Sequence, residues 1–308
     1  MPEASTATEP WTVLRTMLWS ADYLKGKGVE SPRLDAEHIL AHVLGLGRLE
    51  MYLQHERPLT AGELEAFRPL LKRRAKREPL QYVLGRQAFR TLELQVGPGV
   101  LIPRPETECL VDEVLDWARQ RTGSPETGLL GLDVGTGSGA IALALLTEGP
   151  FAGFVGVDVS ADALEIARRN ADAHGLTGRF EARQGSTFAA LGGGERFDVV
   201  VSNPPYVAES QRMELAPEIV DWEPDVALFG GADGLEVIRE IVLGASPRLR
   251  PGGLLALEVG LGQAADVAAL TASQGLADVR IRKDLAGRAR MVLAHAPADN
   301  EDISQREG

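Results

Sequence analysis

Apolar positions in the first quarter of the chain recur at the spacing of α-helices. Residues 11–24 carry this pattern, and a second helix is predicted to begin at Ser31, a cap residue, and Pro32, which suits the first helical position. Gly45 offers a stop to this helix, whose apolar residues share one face: Ala36, Ile39, Leu40, Val43 and Leu44. The pattern predicts a small helical domain over residues 11–84.

A further helix is predicted to open at Thr60, because Glu63 follows at the spacing of a capping box, and to run to about residue 77. Pro69 conflicts with that helix because it has no N–H to donate, so we expect a kink or break there. The same helix carries a dense basic run, which is either a solvated face or a docking patch for an acidic partner surface or for RNA. Its members are Arg68, Lys72, Arg73, Arg74, Lys76 and Arg77.

The pattern changes after Glu78 and Pro79. Two short β-like runs between Phe89 and Leu101 surround the sequence Gly97-Pro98-Gly99, which predicts a β-hairpin with its turn at these three residues. We assign residues 85–104 to this hairpin, as a linker between two domains. A helix over residues 106–119 and a loop over residues 122–128 are predicted to follow.

From residue 129 onward, strand-like runs alternate with helical patterns, which is typical of an α/β domain with a mostly parallel sheet covered on both faces. The seven strand-like runs are residues 129–134, 154–158, 179–184, 197–202, 254–259, 279–282 and 289–294. Helical patterns occupy residues 140–146, 161–174, 234–243 and 263–273. A short turn near Gly287 joins the last two runs, so we expect them to be antiparallel at an edge of the sheet. This second domain is assigned to residues 105–296.

Composition narrows the classes of partner. The 308 residues fit two domains, and the net charge of -12 means that little counterion release is gained on DNA or RNA, so we expect no stable nucleic-acid complex. No apolar run approaches the ~20 residues that span a bilayer, so no membrane association is predicted. The first ten residues do not resemble a signal peptide, and we expect loose ends over residues 1–10 and 297–308.

Cysteine and histidine usage adds two expectations. Cys109 has no second cysteine with which to form an internal disulfide, which fits a cytoplasmic location. His38 and His42 lie one helical turn apart, but no third ligand is evident nearby, so no metal site is predicted. We expect the chain to be monomeric.

A glycine-rich motif stands between the first predicted strand of the second domain and the helix behind it. Glycines permit a sharp turn and a close approach of a ligand, and the helix N-terminus offers free N–H groups. The motif comprises Asp133, Val134, Gly135, Thr136, Gly137, Ser138 and Gly139. Asp158 ends the next strand about 20 residues further on, where its carboxylate can accept both hydroxyls of a ribose. The spacing also fits a dinucleotide fingerprint, so a nicotinamide cofactor and a turn without a ligand both stay open on this motif alone.

A second motif, Asn203-Pro204-Pro205-Tyr206, directly follows the apolar strand over residues 197–202. Open α/β sheets bind ligands beyond the carboxyl ends of their strands, so Asn203 is expected where the chemistry occurs. Its side-chain oxygen and the carbonyl oxygen of Pro204 could accept both N–H bonds of a planar NH2 group, on which Tyr206 could stack. Such a clamp suits transfer to an amide or exocyclic amine, whose delocalised lone pair needs added electron density and alignment more than a general base. A rigid turn without chemistry is the alternative.

The order of these motifs resembles a class I methyltransferase of the amino-methylating kind, and more specifically the HemK/PrmC family of release-factor glutamine N5-methyltransferases. The tetrapeptide from Asn203 to Tyr206 is weak evidence alone, because adenine-N6 methyltransferases share it. Four further stretches strengthen the likeness, which covers roughly residues 30 to 294: residues 79–85, 101–108, 223–235 and 284–290.

This resemblance implies a Rossmann-like domain with a seven-stranded, mostly parallel sheet, and S-adenosyl-L-methionine as a cofactor that becomes S-adenosyl-L-homocysteine. The motif from Asp133 to Gly139 would hold the methionine end of the cofactor, Asp158 would bind its ribose, and Asn203 would contact the cofactor as well as the substrate. Residues 203–206 would grip the glutamine of the Gly-Gly-Gln loop of a peptide chain release factor, with the helical domain helping to dock it. The family usually has an acidic residue near the adenine where this chain has Ser186 and Thr187, so a hydroxyl would replace a carboxylate there.

Two other enzymatic interpretations stay open. A ribosomal protein could supply the glutamine instead. An adenine-N6 nucleic-acid methyltransferase would share the Asn203–Tyr206 motif but would need base flipping and a cationic groove, which the acidic composition disfavours. A cofactor-binding protein without catalysis is disfavoured by the presence of Asn203, Tyr206 and Asp158.

Overall fold

The computed structural model describes residues 10–121 and 128–298, so most of the predicted loose ends and of the predicted loop over residues 122–128 lies outside the described residues. The chain divides into two units by its internal contacts. The first unit comprises the described residues up to Gly85 together with the segment Pro217–Trp222, and the second comprises the described residues of Arg86–Ala216 and those from Glu223 onward. No helix in the described ranges is long and apolar enough to cross a membrane.

Five helices form most of the first unit: α1 (Val13–Lys25), α2 (Pro32–Leu44), α3 (Arg48–Leu53), α4 (Ala61–Ala75) and α5 (Leu80–Leu84). Their starts and stops follow local signals: the Thr12 hydroxyl accepts from the N–H of Arg15, Gly45 ends α2 in a left-handed conformation, and Thr60 and Glu63 form the predicted capping box. Ser31 precedes α2 as predicted, although its side chain makes no capping hydrogen bond. Apolar side chains from these helices make one core, which includes Met17, Leu24, Ile39, Leu40, Met51 and Phe67.

Pro69 does not interrupt its helix, so the predicted break is wrong. Helix α4 continues from Ala61 to Ala75 through Pro69. The proline forfeits the bond from position 69 to the carbonyl of Glu65, and both residues are exposed, so water can reach the unpaired carbonyl. On the opposite face, Phe67 and Leu71 are buried and hold both halves of the helix against the core.

The predicted hairpin exists, but its turn was placed wrongly. Strands β1 (Arg86–Phe89) and β2 (Leu92–Gln95) are antiparallel and joined by Arg90 and Thr91, while Gly97 belongs to a separate turn that follows. Arg90 adopts a left-handed φ of 52°, which is unusual for a residue with a side chain. Its position is fixed by tertiary contacts: its backbone N–H donates to Glu108, and its guanidinium pairs with Glu148.

The second unit is built on a seven-stranded sheet, as the sequence predicts. Its strands are β3 (Leu129–Val134), β4 (Phe151–Asp158), β5 (Phe180–Gln184), β6 (Phe197–Ser202), β7 (Leu249–Glu258), β8 (Ala277–Lys283) and β9 (Ala289–His295). Their order is β5-β4-β3-β6-β7-β9-β8, and the first five are parallel. Strand β9 is antiparallel to both of its neighbours and β8 is an edge, which confirms the prediction for the last two strands.

Helices cover both faces of this sheet. They are α6 (Pro105–Gln120), α7 (Ala140–Glu148), α8 (Ala161–Ala173), α11 (Glu236–Ala245) and α12 (Ala264–Ser273). The single turn α10 (Asp225–Leu228) also belongs to the second unit, while α9 (Pro217–Val220) belongs to the first. Successive strand residues point to opposite faces: Val199 and Val201 pack in a core with α6 and α7, whereas Val200 packs in a core with α11 and α12. Full burial of each such side chain contributes about 1.5–3 kcal/mol, which explains why most residues of the central strands are apolar.

Candidate active site

The sheet order creates one topological switch point, between β3 and β6. The chain runs from β3 outward through β4 to β5 and then returns to the other side of β3 as β6. Loops that leave these strands at their carboxyl ends therefore diverge and leave a crevice. A cavity lies there, and ten of the residues predicted as functional line it: Gly135, Thr136, Gly137, Ser138, Asp158, Ser186, Thr187, Asn203, Pro204 and Pro205.

The glycine loop between β3 and α7 turns sharply at the edge of this cavity. Gly135 and Gly137 have φ values of +72° and +55°, and a Cβ added at either would meet no atom within 4 Å. The loop is fastened to β4, because the N–H groups of Gly135 and Thr136 both donate to the carbonyl of Val157. Two glycines thus leave open space for a ligand at the N-terminus of α7.

Asp158 ends β4 with its carboxylate beside this loop. Its Oδ2 accepts from the N–H of Gly137 at 2.9 Å, and its Oδ1 accepts from the N–H of Ser160 at 2.9 Å. Burial is the main cause of a raised pKa at Asp158, which these hydrogen bonds oppose. Each carboxylate oxygen has a further lone pair, so Asp158 can accept hydroxyl groups while it holds the loop in place.

Two residues predicted to bind the cofactor do not line the cavity. The side chain of Asp133 is fully buried at the end of β3, where its carboxylate accepts from the hydroxyl of Thr136 at 2.7 Å. A Cβ added to Gly139 would lie 3.1 Å from the side chain of Leu143, so this glycine allows close packing of the loop on α7. Both residues shape the loop from behind.

Ser186 and Thr187 also line the cavity, in the segment that follows β5 and Gly185. Thr187 adopts a left-handed φ of 42°, and the preceding N–H of Gly185 donates to the carbonyl of Asp158 at 2.9 Å. Gly185 is required for packing, because an added Cβ would lie 2.8 Å from the Cβ of Ala190. Ser186, Thr187 and Asp158 all line the cavity, and contact of the two hydroxyl residues with a nucleoside base stays a prediction.

Asn203 follows β6 and presents the two ends of its amide to different surroundings. Its Nδ2 donates to the Thr107 hydroxyl at 3.0 Å. Its Oδ1 is buried, and no donor within the described residues reaches it. A buried acceptor without a partner is costly in a folded protein, and such atoms are often completed by a ligand. The adjoining Pro204 and Pro205 also line the cavity and fix the backbone that carries Asn203.

Thr107 and Glu258 were not predicted as functional residues from sequence. The Thr107 hydroxyl donates to Glu258 Oε2 at 2.7 Å, and the Tyr206 hydroxyl lies 3.4 Å from Glu258 Oε1. Thr107 and Glu258 are almost fully buried. Burial is the main cause of a raised pKa at Glu258. Glu258 ends β7, so the rule that places ligands beyond strand ends would have been the signal for it.

Tyr206 is directed toward Glu258, and it does not line the cavity itself. Its ring centre is 6.0 Å from the guanidinium carbon of Arg290. Burial raises the pKa of Tyr206 to about 12, so its hydroxyl stays protonated at neutral pH. The expected stacking of this ring on a substrate amide therefore stays a prediction.

The segment before α6 forms another wall of the cavity, which Val100, Leu101 and Pro103 line. Glu223 fixes this wall: its carboxylate accepts from the N–H of Ile102 at 3.1 Å and pairs with the guanidinium of Arg104. Glu223 itself is buried. The two stretches noted in the sequence, residues 101–108 and 223–235, thus meet at the cavity.

Comparison with known proteins assigns the chain to a family. Residues 16–85 match the model of the PrmC N-terminal domain, and residues 124–226 match the model of the methyltransferase small domain. The release factor glutamine methyltransferase of Geobacter sulfurreducens is 44% identical over 284 residues, which cover 92% of this chain and 96% of that protein. The release factor glutamine methyltransferase of Chlorobaculum tepidum is 41% identical, with 92% and 96% coverage.

The chain belongs to the release factor glutamine methyltransferase family. The fold agrees: the solved catalytic domain of hMettl16, in complex with a MAT2A 3'UTR hairpin, is similar with a TM-score of 0.55 at 21% identity over 75% of this chain and 83% of that chain. At that identity the likeness concerns the fold alone. As a member of this methyltransferase family, the enzyme takes its methyl group from S-adenosylmethionine.

The cavity fits this cofactor on its own geometry. Asp158 offers acceptors for the two hydroxyls of a ribose, and the glycine loop leaves open space at Gly135 and Gly137. Apolar Ile141 and Val157 line the same cavity beside the hydroxyl groups of Ser186 and Thr187. A nucleoside with an attached amino acid needs this combination of polar and apolar walls.

Proposed function

We propose that this protein methylates the side-chain amide nitrogen of the glutamine in the Gly-Gly-Gln loop of peptide chain release factors. The observation that carries the proposal is the amide oxygen of Asn203, which is buried and lacks a donor within the described ranges. A substrate amide N–H would complete that oxygen. Family membership supports the choice of substrate, because the curated relatives are named release factor glutamine methyltransferases.

The chain's own residues would prepare the glutamine nitrogen by accepting both of its N–H bonds. Asn203 Oδ1 would accept one and the backbone carbonyl of Pro204 the other, which turns the nitrogen lone pair toward the methyl group. The bound cofactor supplies that methyl group as a sulfonium. Because an amide nitrogen is a poor nucleophile, alignment and fixed acceptors contribute more here than a base.

Cofactor contacts are proposed for the opposite end of the cavity. Asp158 would accept the ribose hydroxyls, the loop from Gly135 to Ser138 would hold the amino-acid end, and Ser186 with Thr187 would face the base. Asp133 and Gly139 would support that loop without touching the ligand. No general base is required, because the nitrogen loses its proton readily once it has been methylated.

The helical unit is proposed to help dock the release factor, and the enzyme to act as a cytoplasmic monomer without a stable nucleic-acid partner. The net charge of -12 supports the last point. Part of the basic run has another explanation, since Arg73 pairs with Glu78, and Arg74 and Arg77 pair with Glu218. These three arginines are therefore occupied within the helical unit.

The deciding experiment measures methyl transfer from labelled S-adenosylmethionine to a purified release factor. A second release factor with the loop glutamine changed to alanine is the matched control. Label on the unaltered factor alone is the expected result. Label on both factors, or on ribosomal proteins or nucleic acid but on neither factor, would contradict the proposed substrate.

A further inference from the structure

Thr107, which also lines the cavity, and Glu258, at the end of β7, are connected to Asn203 by a series of hydrogen bonds. Asn203 Nδ2 and Thr107 Oγ1 are 3.0 Å apart, and Thr107 Oγ1 and Glu258 Oε2 are 2.7 Å apart. Thr107 is 3% exposed and Glu258 is 2% exposed, so bulk water does not compete for these bonds. All three residues belong to the second unit.

The direction of each bond in this series follows from the charge of Glu258. An ionised carboxylate can only accept, so the Thr107 hydroxyl must give its single hydrogen to Glu258. The oxygen of Thr107 is then left with lone pairs and must accept from its other neighbour. Only the NH2 end of the Asn203 amide can donate to it, which leaves the amide oxygen on the other side.

We infer that Thr107 and Glu258 are positioning residues that hold the Asn203 amide with its oxygen, and not its nitrogen, toward the substrate amide. The inference rests on the proposed function, because an acceptor at that position matters only if the substrate presents N–H groups. An amide rotated by 180° would face the substrate NH2 with another NH2, and the clamp would be lost. The hydrogen bonds from Glu258 through Thr107 therefore select one of the two orientations that the Asn203 amide could adopt by itself.

Protonation of Glu258 would allow both hydrogen bonds to reverse their donor and acceptor. A neutral Glu258 can donate to Thr107, whose hydroxyl can then donate to the oxygen of a rotated Asn203 amide. Burial raises the pKa of Glu258, as does the nearby charge of Glu106, while Arg290 and the hydroxyls of Thr107 and Tyr206 lower it. Turnover is therefore expected to fall as the pH falls through this pKa.

Kinetics of Thr107→Val, Thr107→Ser and Glu258→Gln test the inference. Thr107→Val should lower kcat about 10- to 100-fold through misalignment, while its Kd for S-adenosylhomocysteine stays that of the parent. Thr107→Ser restores the hydroxyl and should recover most of the lost turnover. Glu258→Gln should lower kcat at neutral pH and abolish the acid limb of the kcat profile, because its side chain does not titrate.

The matched control is Thr271→Val. Thr271 is also a fully buried threonine of the second unit, but its hydroxyl donates to the carbonyl of Val267 within α12. This variant removes a buried hydroxyl that makes no hydrogen bond to Asn203, Thr107 or Glu258, so kcat and its pH profile should stay those of the parent. A parental kcat in Thr107→Val would overturn the inference.

A second readout needs no substrate and separates this inference from the proposed function. In the 15N spectrum of the full chain, an Asn203→Ala variant identifies the side-chain NH2 signals of Asn203. These signals should shift in Thr107→Val and titrate with pH in the parent but not in Glu258→Gln. Unchanged signals would overturn the inference even if release factors are methylated, whereas the expected shifts would support it even if another amide is the substrate.

Discussion

The Asn203 amide donates a hydrogen bond from Nδ2, whereas its Oδ1 has no donor among the described residues. This difference predicts the effect of removing the side chain. Asn203→Ala should lower kcat by about 100-fold or more, by analogy with the loss of one fixed polar group at a reacting centre. Cofactor affinity should change little, because the proposed cofactor contacts lie at the glycine loop and Asp158. Titration calorimetry with S-adenosylhomocysteine, beside the transfer assay, checks both parts. A variant with parental kcat would remove Asn203 from the clamp.

Asp133 predicts a dependence of stability on pH. Burial raises the pKa of Asp133 to about 7, well above the usual value for an aspartate. Below about pH 4, Asp133 is protonated in both the folded and the unfolded protein. Between about pH 4 and pH 7, Asp133 ionises in the unfolded protein but stays protonated in the folded one, so the folded state loses stability as the pH rises. The Asp133→Asn variant cannot ionise at this position and does not lose this stability. The difference between its free energy of unfolding and that of the parent should therefore increase by ~2–4 kcal/mol from pH 4 to pH 8.

Urea unfolding of Asp133→Asn and the parent at several pH values provides the measurement. Taking the difference between the two proteins cancels the other titrating groups. The Asn side chain keeps an oxygen that can accept from the hydroxyl of Thr136, so the contact seen in the structure is retained. A difference that does not vary with pH would show that Asp133 is ionised without cost.

At the scale of the loop between β3 and α7, Gly139 is constrained twice. Its φ is +83°, and an added Cβ would lie 3.1 Å from the side chain of Leu143. Gly175 is the matched control, since its φ is +69° and a Cβ there would meet nothing within 4 Å. Gly175→Ala should cost about 1–2 kcal/mol for the left-handed conformation alone. Gly139→Ala should cost ~1–3 kcal/mol more, because Leu143 must move.

Urea unfolding of the two glycine variants compares them directly. The order of the two costs is the prediction, because conformational strain is common to both and the contact with Leu143 is confined to one. Equal costs would mean that the loop and α7 accommodate the additional methyl group without strain.

Elements whose signals are local were predictable from the sequence. The sequence predicts strand β6 with its observed bounds, because the mostly apolar segment from Phe197 to Ser202 is typical of a strand buried on both faces. The hairpin turn at Arg90 was not predictable, because neither Arg90 nor Thr91 is a usual turn residue and the strained φ depends on Glu108 and Glu148. Pro69 was misjudged for a related reason: burial of Phe67 and Leu71 outweighs one lost hydrogen bond.

At the scale of the whole molecule, site residues with a local signal could also be predicted, whereas those brought together by the fold could not. The glycine loop and the residues after β6 could be found because each lies next to a recognisable strand. Thr107 and Glu258 are 151 positions apart in sequence, and only the sheet order and the packing of α6 bring their side chains to a 2.7 Å contact. No periodicity or motif records such a pair.

The segment Pro217–Trp222 is also joined to distant residues of its unit. Glu218 accepts from Arg77 Nε at 2.5 Å and from Arg74 at 3.1 Å, and these partners are more than 140 positions away. Arg74 is buried and simultaneously pairs with Asp35 at 2.6 Å. One carboxylate thus holds a short, half-buried segment to the helical core.

Glu218→Gln should loosen that segment selectively. The variant loses the charge and replaces one acceptor oxygen with an NH2 that faces guanidinium donors. Because hydrogen bonds between charged groups contribute roughly 1.5–3 kcal/mol, amide exchange over residues 217–222 should become about 10- to 100-fold faster. Hydrogen exchange read by mass spectrometry resolves this segment. Glu214→Gln, at an exposed position in the preceding 3₁₀ turn, is the control and should leave exchange unchanged. Equal exchange in both variants would mean that backbone and apolar contacts, rather than Glu218, hold the segment.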